Sequence, residues 1–379
     1  MTDRKAVIML AAGGTGGHLF PAFALAEALG RRGHAVDLVT DMRGDRYGTG
    51  FPARQVHKVP SATAAGRDPV TLMRTALALA RGVKAAHGLL GAVKPGAIVG
   101  FGGYPSFPPL VAARMRGIPS ALHEQNAILG RANKMLAGGV DLIATSFERT
   151  RLVEGDLAKK ARFTGNPVRE VVIRAAARPY VAPDPAGAFR VLVFGGSQGA
   201  RYFSETVPGA LATLPAPLRA RLEVVQQCRA EDLDAVRRAY AESGIRADLE
   251  TFFRDLPERM AGAHLVIGRA GASSVAELAV IGRPSILVPL PHSLDNDQLQ
   301  NATRIAESGG AWCIEQKDLT ADRLAGEIAA LAGPSDRLAR AAAAARAQGR
   351  PDAVERLADL VVGLASGRGL MPLEMAAAG

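Results

Sequence analysis

The stretch that decides the fold is "AVIMLAAGGTGGHLFPA", residues 6–22. An apolar run opens it, and four glycines within positions 13–17 follow before a helical pattern begins. An apolar strand that runs into a glycine-rich turn and then a helix is typical of the first unit of a doubly wound parallel sheet. Glycines at such a turn let a ligand approach the backbone, and the N-terminus of the next helix attracts an anion.

The rest of the first half repeats this alternation of apolar runs and helical patterns. We predict the first helix from Pro21 to Gly30. The strands of this half are predicted at residues 6–10, 35–41, 96–103, 119–125 and 141–146. Strand, helix and strand in repetition predict a parallel sheet with helices on both faces.

The second half restarts the same pattern at "RVLVFGGSQGA", residues 190–200. Further strands are predicted at residues 222–228, 249–253, 264–274 and 284–291. The turn-rich joint "FTGNPVRE" (163–170) separates the halves, as a hinge would. We predict a first domain over 1–163, a second over 164–345, and a C-terminal helix and tail over 346–379 that returns to the first domain.

The composition narrows the classes of partner. Of the 379 residues, 46 are Lys or Arg and 36 are Asp or Glu, and a net charge of +10 suits a polyanionic partner. Aromatic residues make up only 5% and form no basic cluster, which argues against nucleic acid. Cys228 and Cys313 build neither a disulfide framework nor a zinc site, which indicates a reducing compartment. Without a long uninterrupted apolar run or a convincing signal peptide, we expect a cytosolic chain.

The glycine-rich loop fails both familiar phosphate fingerprints. With Gly14 and Gly16 as the first two glycines of G-x-G-x-x-G, the third falls on Leu19, and no G-x-x-x-x-G-K-[ST] is present. His18 either caps this turn or serves as a base. A second glycine-rich loop, "GFGGYPSFPPLVAA" (100–113), is expected to expose Tyr104 and Ser106.

Other polar clusters also have two interpretations. "HEQN" (123–126) forms either a set of loop caps or a binding cluster. Glu277 either completes a capping box opened by Ser274 or accepts the hydroxyls of a ribose. The sequence Asp295-Asn296-Asp297 either caps a helix or resembles the D-x-D that holds a divalent metal, and we favour the cap.

The segment from Pro69 to Lys94 is an amphipathic helix by its periodicity. Its apolar arc contains Leu72, Ala76, Leu79, Val83 and Leu90. The neighbouring basic arc contains Arg74, Arg81 and Lys84. Such a helix either packs on its own sheet or meets anionic lipid.

Seven of these motifs occur together in an order that resembles a known family. They are "GGTGGHLFPA", "GFGGYPSFPP", "HEQN", "GNPVR", "GGSQGA", "RAGASSVAEL" and "QLQNA". The chain resembles the MurG-type UDP-N-acetylglucosamine transferases, which make lipid II in bacterial peptidoglycan synthesis. The resemblance spans residues 5 to about 305. It implies an α/β fold of GT-B type, with two Rossmann-like doubly wound parallel-sheet domains facing across a cleft. The first domain would bind the acceptor and the membrane, and the second UDP-GlcNAc.

The resemblance also implies an inverting transfer of GlcNAc to the C4 hydroxyl of MurNAc in lipid I, with no metal and no cofactor. His18 is the candidate base and Glu124 its competitor, and Gly14, His18 and Tyr104 are expected on the acceptor side. The expected UDP-GlcNAc residues are Thr15, Gly16, Gly17, Asn126, Arg169, Ser197, Phe253, Glu277 and Gln298. The region before Gln298 is longer than in better-known members, so Asp297 and Gln300 stay alternatives to it.

The implied partners are UDP-GlcNAc, lipid I, an anionic cytoplasmic membrane surface and a cell-wall synthesis or division complex, with no nucleic acid. The implied location is peripheral, at the cytoplasmic face of the inner membrane. The alternatives are a GT-B glycosyltransferase with another acceptor and a two-lobed ligand-binding protein without enzymatic activity. An NAD-dependent oxidoreductase would need the intact dinucleotide fingerprint, which neither half supplies.

Overall fold

The chain alternates strands and helices along its whole length in a computed structural model that describes residues 6–13, 16–41, 50–62, 68–196, 199–333 and 336–367. The strands are β1 (Ile8–Ala11), β2 (Val36–Thr40), β3 (Gln55–Lys58), β4 (Ala97–Gly100), β5 (Ser120–Glu124), β6 (Leu142–Thr145), β7 (Ala161–Phe163), β8 (Phe189–Phe194), β9 (Leu222–Gln227), β10 (Arg246–Glu250), β11 (Leu265–Gly268), β12 (Ser285–Leu287) and β13 (Ala311–Cys313). The helices are α1 (Gly16–Arg31), α2 (Pro69–Val93), α3 (Phe107–Arg116), α4 (Arg131–Leu136), α5 (Asp156–Lys159), α6 (Glu170–Ala175), α7 (Arg201–Ala212), α8 (Ala216–Arg219), α9 (Leu233–Glu242), α10 (Leu256–Gly262), α11 (Ala272–Ile281), α12 (Asp297–Glu307), α13 (Ala321–Ala332), α14 (Arg337–Gln348) and α15 (Ala353–Ala365).

These elements divide into two units, each with its own sheet. The first unit comprises Met1–Arg169 and Arg350–Gly379, and the second comprises Glu170–Gly349. The domain limits expected from the sequence, 163/164 and 345/346, lie close to these divisions and stay predictions for the functional domains.

The sheet of the first unit has the order β3-β2-β1-β4-β5-β6-β7 in the described ranges, and every pair is parallel. Alternate residues of its strands serve opposite faces, as the two-residue period of a strand requires. Ile8 and Leu10 of β1 pack with α1 and α15 on one face. Met9 packs with α2 and α3 on the other. Because both faces are covered, the strand β1 is apolar throughout.

The C-terminal helix α15 belongs to the first unit. Leu357 is fully buried in the core that α1 shares with the sheet. Arg31 and Arg32 of α1 form ion pairs with Glu355, and Arg32 also pairs with Asp359. The burial of the apolar face carries this packing, since exposed ion pairs contribute little.

The sheet of the second unit has the order β10-β9-β8-β11-β12-β13 in the part of the chain that is described. Its pairs are also parallel. Val191 and Val193 of β8 pack with α7, α9 and α13, and Leu192, which lies between them, is buried on the opposite face. The predicted doubly wound parallel sheets are therefore confirmed in both halves.

Some elements differ from their predicted bounds. Helix α1 begins at Gly16 and contains Pro21, although a proline usually stands at the first position of a helix. Strand β10 covers Arg246–Glu250 rather than 249–253. The short edge strands β3, β7 and β13 were missed, because an edge strand pairs on one side only and carries little of the apolar pattern.

Candidate active site

The loops after β1 and β4 meet at the switch point of the first sheet, where the strand order reverses and ligands of such sheets bind. Ser106 Oγ lies 2.8 Å from the carbonyl oxygens of both Ala11 and Gly102 and so ties the two loops together. The prediction that Ser106 is exposed is wrong: the side chain is fully buried, because these two carbonyls need its hydroxyl as a donor. Gly14 and Thr15 lie outside the described residues.

His18 is the third residue of α1, after Gly16 and Gly17, and its ring lies against the β4 loop. A Cβ atom on Gly103 would stand 3.2 Å from His18 Cδ2 and 3.3 Å from Nε2, and one on Gly102 would stand 3.5 Å from Cε1. The φ angles of Gly102 and Gly103, 87° and 68°, also favour glycine. The half-buried Tyr104 follows directly. Two of the predicted acceptor-side residues thus lie at one switch point, His18 in the first turn of α1 and Tyr104 after β4.

Gln125 and His123 connect the His18 ring to the interior. His18 Nδ1 lies 3.2 Å from Gln125 Oε1, and Gln125 Nε2 lies 3.0 Å from His123 Nδ1. His123 Nε2 lies 3.2 Å from the carbonyl oxygen of Gly165. Burial lowers the pKa of His123 to about 4, against which the contact to Gly165 acts weakly, so its ring is neutral at pH 7.

Glu124, the competing candidate base, ends β5 as a buried carboxylate that is only 1% exposed. Its Oε1 accepts from Asn126 N at 2.9 Å and Asn126 Nδ2 at 3.3 Å. Its Oε2 accepts from Gly130 N at 2.9 Å and Asn133 Nδ2 at 2.7 Å. Burial raises the pKa of Glu124, and these hydrogen bonds counteract part of that rise. The carboxylate therefore organises the loop that carries Asn126.

Arg169 is the last residue of the N-terminal segment of the first unit, and its guanidinium carbon lies 4.6 Å from the centre of the Phe20 ring. Phe20 belongs to α1, two residues after His18. A cation over an aromatic face contributes about 0.5–2 kcal/mol. Arg169 thus contacts the helix that carries His18, while its expected place in the donor pocket stays a prediction.

The second sheet has its own switch point between β8 and β11. In the "GGSQGA" turn after β8, a Cβ on Gly195 would stand 2.3 Å from Ala200 N, so this position admits only glycine. Gly195 N donates to Gln227 Oε1 at 3.2 Å, and helix α7 begins at Arg201 directly after the turn. Ser197 lies outside the described residues.

Glu277 lies within α11, in the loop-helix unit that follows β11, and is 6% exposed. The capping-box interpretation is wrong, because Gly271 is the N-cap and Ser274 lies inside the helix. Asn301 fastens this loop: its Nδ2 donates to the carbonyl of Ala270 at 3.1 Å, and its side chain is fully buried. The expected contact of Glu277 with the hydroxyls of a ribose stays a prediction.

Gln298 lies in the first turn of α12, and its Oε1 accepts from Leu290 N at 3.0 Å. The preceding Asp295 and Asn296 both have left-handed backbones, with φ of 56° and 54°. Asn296 occupies the N-cap position of α12 without a side-chain capping bond. Within the described ranges, no group of three or more His, Cys, Asp or Glu side chains could hold a metal ion.

Phe253 is buried after β10, 5% exposed, and the guanidinium carbon of Arg259 lies 4.3 Å from its ring centre. Arg259 also forms ion pairs with Asp248 and Asp255. The ring is therefore fixed on at least one face, and its expected place beside a uracil stays a prediction.

Sequence reasoning did not assign roles to Gln125, His123, Asn133 or Asn301. Gln125, His123 and Asn301 have polar contacts 107, 42 and 31 residues away in the sequence, and Asn133 donates to Glu124, nine residues away. The density of polar residues in "HEQN" and "QLQNA" was the available signal, but it could not tell which side chains point inward.

Two doubly wound units, each with a parallel sheet and its own switch point, are the architecture of the GT-B fold. The model of the glycosyltransferase family 28 N-terminal domain matches residues 8–145, and that of the C-terminal domain matches residues 190–357. The chain belongs to glycosyltransferase family 28.

Relatives of this chain are similar to it in sequence over nearly its whole length. A UDP-N-acetylglucosamine--N-acetylmuramyl-(pentapeptide) pyrophosphoryl-undecaprenol N-acetylglucosamine transferase of Chelativorans sp. (strain BNC1) is 52% identical, over 95% of this chain and 96% of the relative. The protein of the same name from Methylobacterium sp. (strain 4-46) is 54% identical, over 96% and 98%. The crystal structure of Acinetobacter baumannii MurG is 28% identical, with a TM-score of 0.77 over 94% of this chain and 99% of that one. The resemblance stated from the motifs is thus confirmed.

Proposed function

We infer that this chain transfers GlcNAc from UDP-GlcNAc to the C4 hydroxyl of MurNAc in undecaprenyl-pyrophosphoryl-MurNAc-pentapeptide, lipid I, and so forms lipid II for peptidoglycan. The observation that carries this inference is the identity of 52–54% over 95–96% of the chain to transferases of that name.

We propose His18 as the general base. The acceptor hydroxyl attacks the anomeric carbon with inversion, its proton passes to His18, and the bond to UDP breaks with the electron pair leaving on the diphosphate. The four N–H donors and deep burial of Glu124 support His18 over that carboxylate. Tyr104 and Gly14 would border the acceptor.

We propose the donor residues on the same basis. The turn of Gly195 and Ser197 before α7 would hold the diphosphate, because a helix N-terminus offsets the charge that builds on departing UDP. Glu277 would accept the ribose hydroxyls, and Phe253 would lie beside the uracil. The remaining donor residues are Thr15, Gly16, Gly17, Asn126, Arg169 and Gln298.

We propose that α2 binds the anionic cytoplasmic face of the membrane peripherally. Among the described residues, its Met73–Val93 segment is long and apolar enough to span a membrane, and 17% of the most apolar window is buried. The C-terminal half packs on the protein: a Cβ on Gly82 would stand 2.1 Å from the carbonyl oxygen of Pro60. The N-terminal half instead exposes apolar side chains, which favours lipid contact over a spanning role.

The exposed part of α2 joins apolar and basic side chains. Val70, Met73 and Leu77 are 52%, 66% and 52% exposed. Arg74, Arg81 and Lys84 are exposed beside them. Each cation near an anionic surface contributes about 1 kcal/mol, which weakens as salt screens it.

Vesicle sedimentation tests this surface. Vesicles with phosphatidylglycerol should retain the wild-type protein, and vesicles of phosphatidylcholine alone should retain less. The double variant Met73→Glu, Leu77→Glu should lose binding, while the matched exposed control Val181→Glu keeps it. Equal binding of both variants would refute the assignment. The cell-wall synthesis or division complex stays a prediction.

The reaction itself is tested by UDP release from UDP-GlcNAc. Release should depend on a lipid I analogue, fall about 10²–10⁴-fold in His18→Ala, and persist in the presence of a metal chelator. Release with a sterol or flavonoid acceptor instead would favour a glycosyltransferase of the same fold with another acceptor. Unchanged turnover in His18→Ala would remove His18 as the base, and loss of activity with chelator would remove the metal-independent mechanism.

A further inference from the structure

The hydrogen bonds behind His18 all donate in one direction, from the ring towards a backbone carbonyl. The chain starts at the carbonyl oxygen of Gly165, four residues before the end of the first unit's main segment at Arg169. It passes through His123 and Gln125 and ends at His18 Nδ1, and every member lies in the first unit.

The carbonyl of Gly165 fixes the first proton. A carbonyl oxygen only accepts, so the atom 3.2 Å away, His123 Nε2, must carry the hydrogen. The His123 side chain is fully buried and neutral, so its Nδ1 holds a lone pair. His123 therefore donates at one nitrogen and accepts at the other.

The amide of Gln125 continues the same direction. Its Nε2 lies 2.9 Å from the carbonyl oxygen of His123 and 3.0 Å from His123 Nδ1, and both partners are acceptors. The reverse orientation would set an amide oxygen against a carbonyl oxygen and a lone pair. The two hydrogens of the amide are thus used, and Gln125 Oε1 faces His18 as an acceptor.

We propose that Gln125, held by His123 and Gly165, is a positioning residue that fixes His18 as the tautomer protonated at Nδ1. The lone pair of His18 then lies on Nε2, on the ring edge that packs against Gly103 in the switch-point loop. This inference rests on the proposed role of His18 as the base. It explains why a neutral amide stands here: unlike a carboxylate, Gln125 can donate to His123 and accept from His18 at once.

The hydrogen-bonded chain from Gly165 through His123 and Gln125 to His18, which we call the relay, has two consequences for catalysis. A fixed tautomer presents the acceptor nitrogen in every molecule, so no fraction of the enzyme starts with the proton on the wrong side. The side chains of Gln125 and His123 are 2% and 0% exposed, so water does not compete for these hydrogen bonds. The effect should appear in kcat, because both side chains are buried and act through His18.

Nitrogen NMR of ¹⁵N-histidine-labelled full-length protein tests the tautomer directly. The His18 signal, identified by its loss in His18→Ala, should show a protonated Nδ1 and an unprotonated Nε2. Gln125→Met should abolish this fixed pattern, because it leaves no acceptor for His18 Nδ1. A wild-type ring protonated at Nε2, or an unchanged pattern in Gln125→Met, would overturn the proposal.

Kinetics provide a second readout. Gln125→Met should lower kcat by at least about tenfold, towards the roughly 10⁴-fold that a wrong tautomer costs a serine protease triad, with little change in the KM for UDP-GlcNAc. In the His18→Ala background the same substitution should have no further effect, because Gln125 acts through His18. An equal loss in both backgrounds would refute the relay.

A matched control separates the relay from loss of a buried amide. Gln226 is also fully buried; it accepts from the Tyr240 hydroxyl at 2.6 Å and donates to the carbonyl of Phe203. Gln226→Met should lower stability but leave the His18 signal unchanged. If His18→Ala keeps full turnover, His18 is not the base. The NMR signal of His18 in the wild-type protein still tests whether Gln125 fixes its tautomer, so the two failures are distinguishable.

Discussion

Replacing Gly103 with alanine should damage catalysis as well as stability, because its missing side chain makes room for the His18 ring. Gly103 has φ 68° and ψ 167°, a conformation that essentially only glycine adopts, so alanine there costs about 1–3 kcal/mol of stability. The new Cβ would stand 3.2 Å from His18 Cδ2 and 3.3 Å from Nε2, and the ring must retreat by a few tenths of an ångström. Since a displacement of about 1 Å costs up to about 10²-fold in rate, a retreat of a few tenths of an ångström should lower kcat about 3-fold to 10-fold.

Gly117→Ala is the matched control for backbone strain. Gly117 also has a positive φ, 64°, at the end of α3, but a Cβ there would meet no atom within 4 Å. It should lose about 1–2 kcal/mol and keep its kcat. Urea unfolding followed by circular dichroism measures the stability, and UDP release with a lipid I analogue measures kcat. Wild-type turnover in Gly103→Ala, or the same loss of kcat in Gly117→Ala, would show that kcat does not depend on the space that Gly103 leaves for the His18 ring.

Three further predictions concern stability and donor binding. Burial opposes the charge of Asp37, but hydrogen bonds from Arg54 and His57 outweigh this effect and lower the pKa of Asp37 below 3.8. The resulting stabilisation is complete above about pH 4 and is lost as the pH falls through the lowered pKa. The difference in unfolding free energy between wild type and Asp37→Asn should therefore narrow in that pH range, and a constant difference would contradict the prediction. Leu357→Ala should lower the unfolding free energy of the first unit by about 2–5 kcal/mol, measured by circular dichroism. The unfolding of the second unit, followed by the fluorescence of Trp312, should not shift. A matching shift in that fluorescence would show that α15 does not act through the first unit alone. Glu277→Ala should weaken UDP binding at least about tenfold by calorimetry while the thermal transition stays cooperative, and unchanged affinity would remove Glu277 from the ribose site.

The alternation of the fold could be predicted because buried parallel strands are apolar on both faces. The runs at β1 and β8 followed by glycines identified both sheets, and the restart at residue 190 separated the halves. The edge strands β3, β7 and β13 could not be predicted this way, since the neighbour that pairs with each supplies the backbone partners that hold it extended. The start of α1 was misplaced for a related reason: local preference put Pro21 at the first position, whereas the helix begins at Gly16.

The sequence by itself determined the class of the site. Glycines after two apolar strands predict two ligand loops through chemistry that is local to each loop, and His18 and Glu277 stay predicted site residues. Their order along the chain also identified the family.

Only the tertiary structure decided what the polar residues of those loops do. It turned Ser106 inward to tie two loops and placed Ser274 inside a helix rather than at its start. It also surrounded Glu124 with N–H donors and aligned Gln125 behind His18. A hydrogen bond depends on the direction and burial of two groups, which a sequence pattern does not give, and some partners are distant: Ala11 is 95 residues from Ser106, and His18 is 107 residues from Gln125.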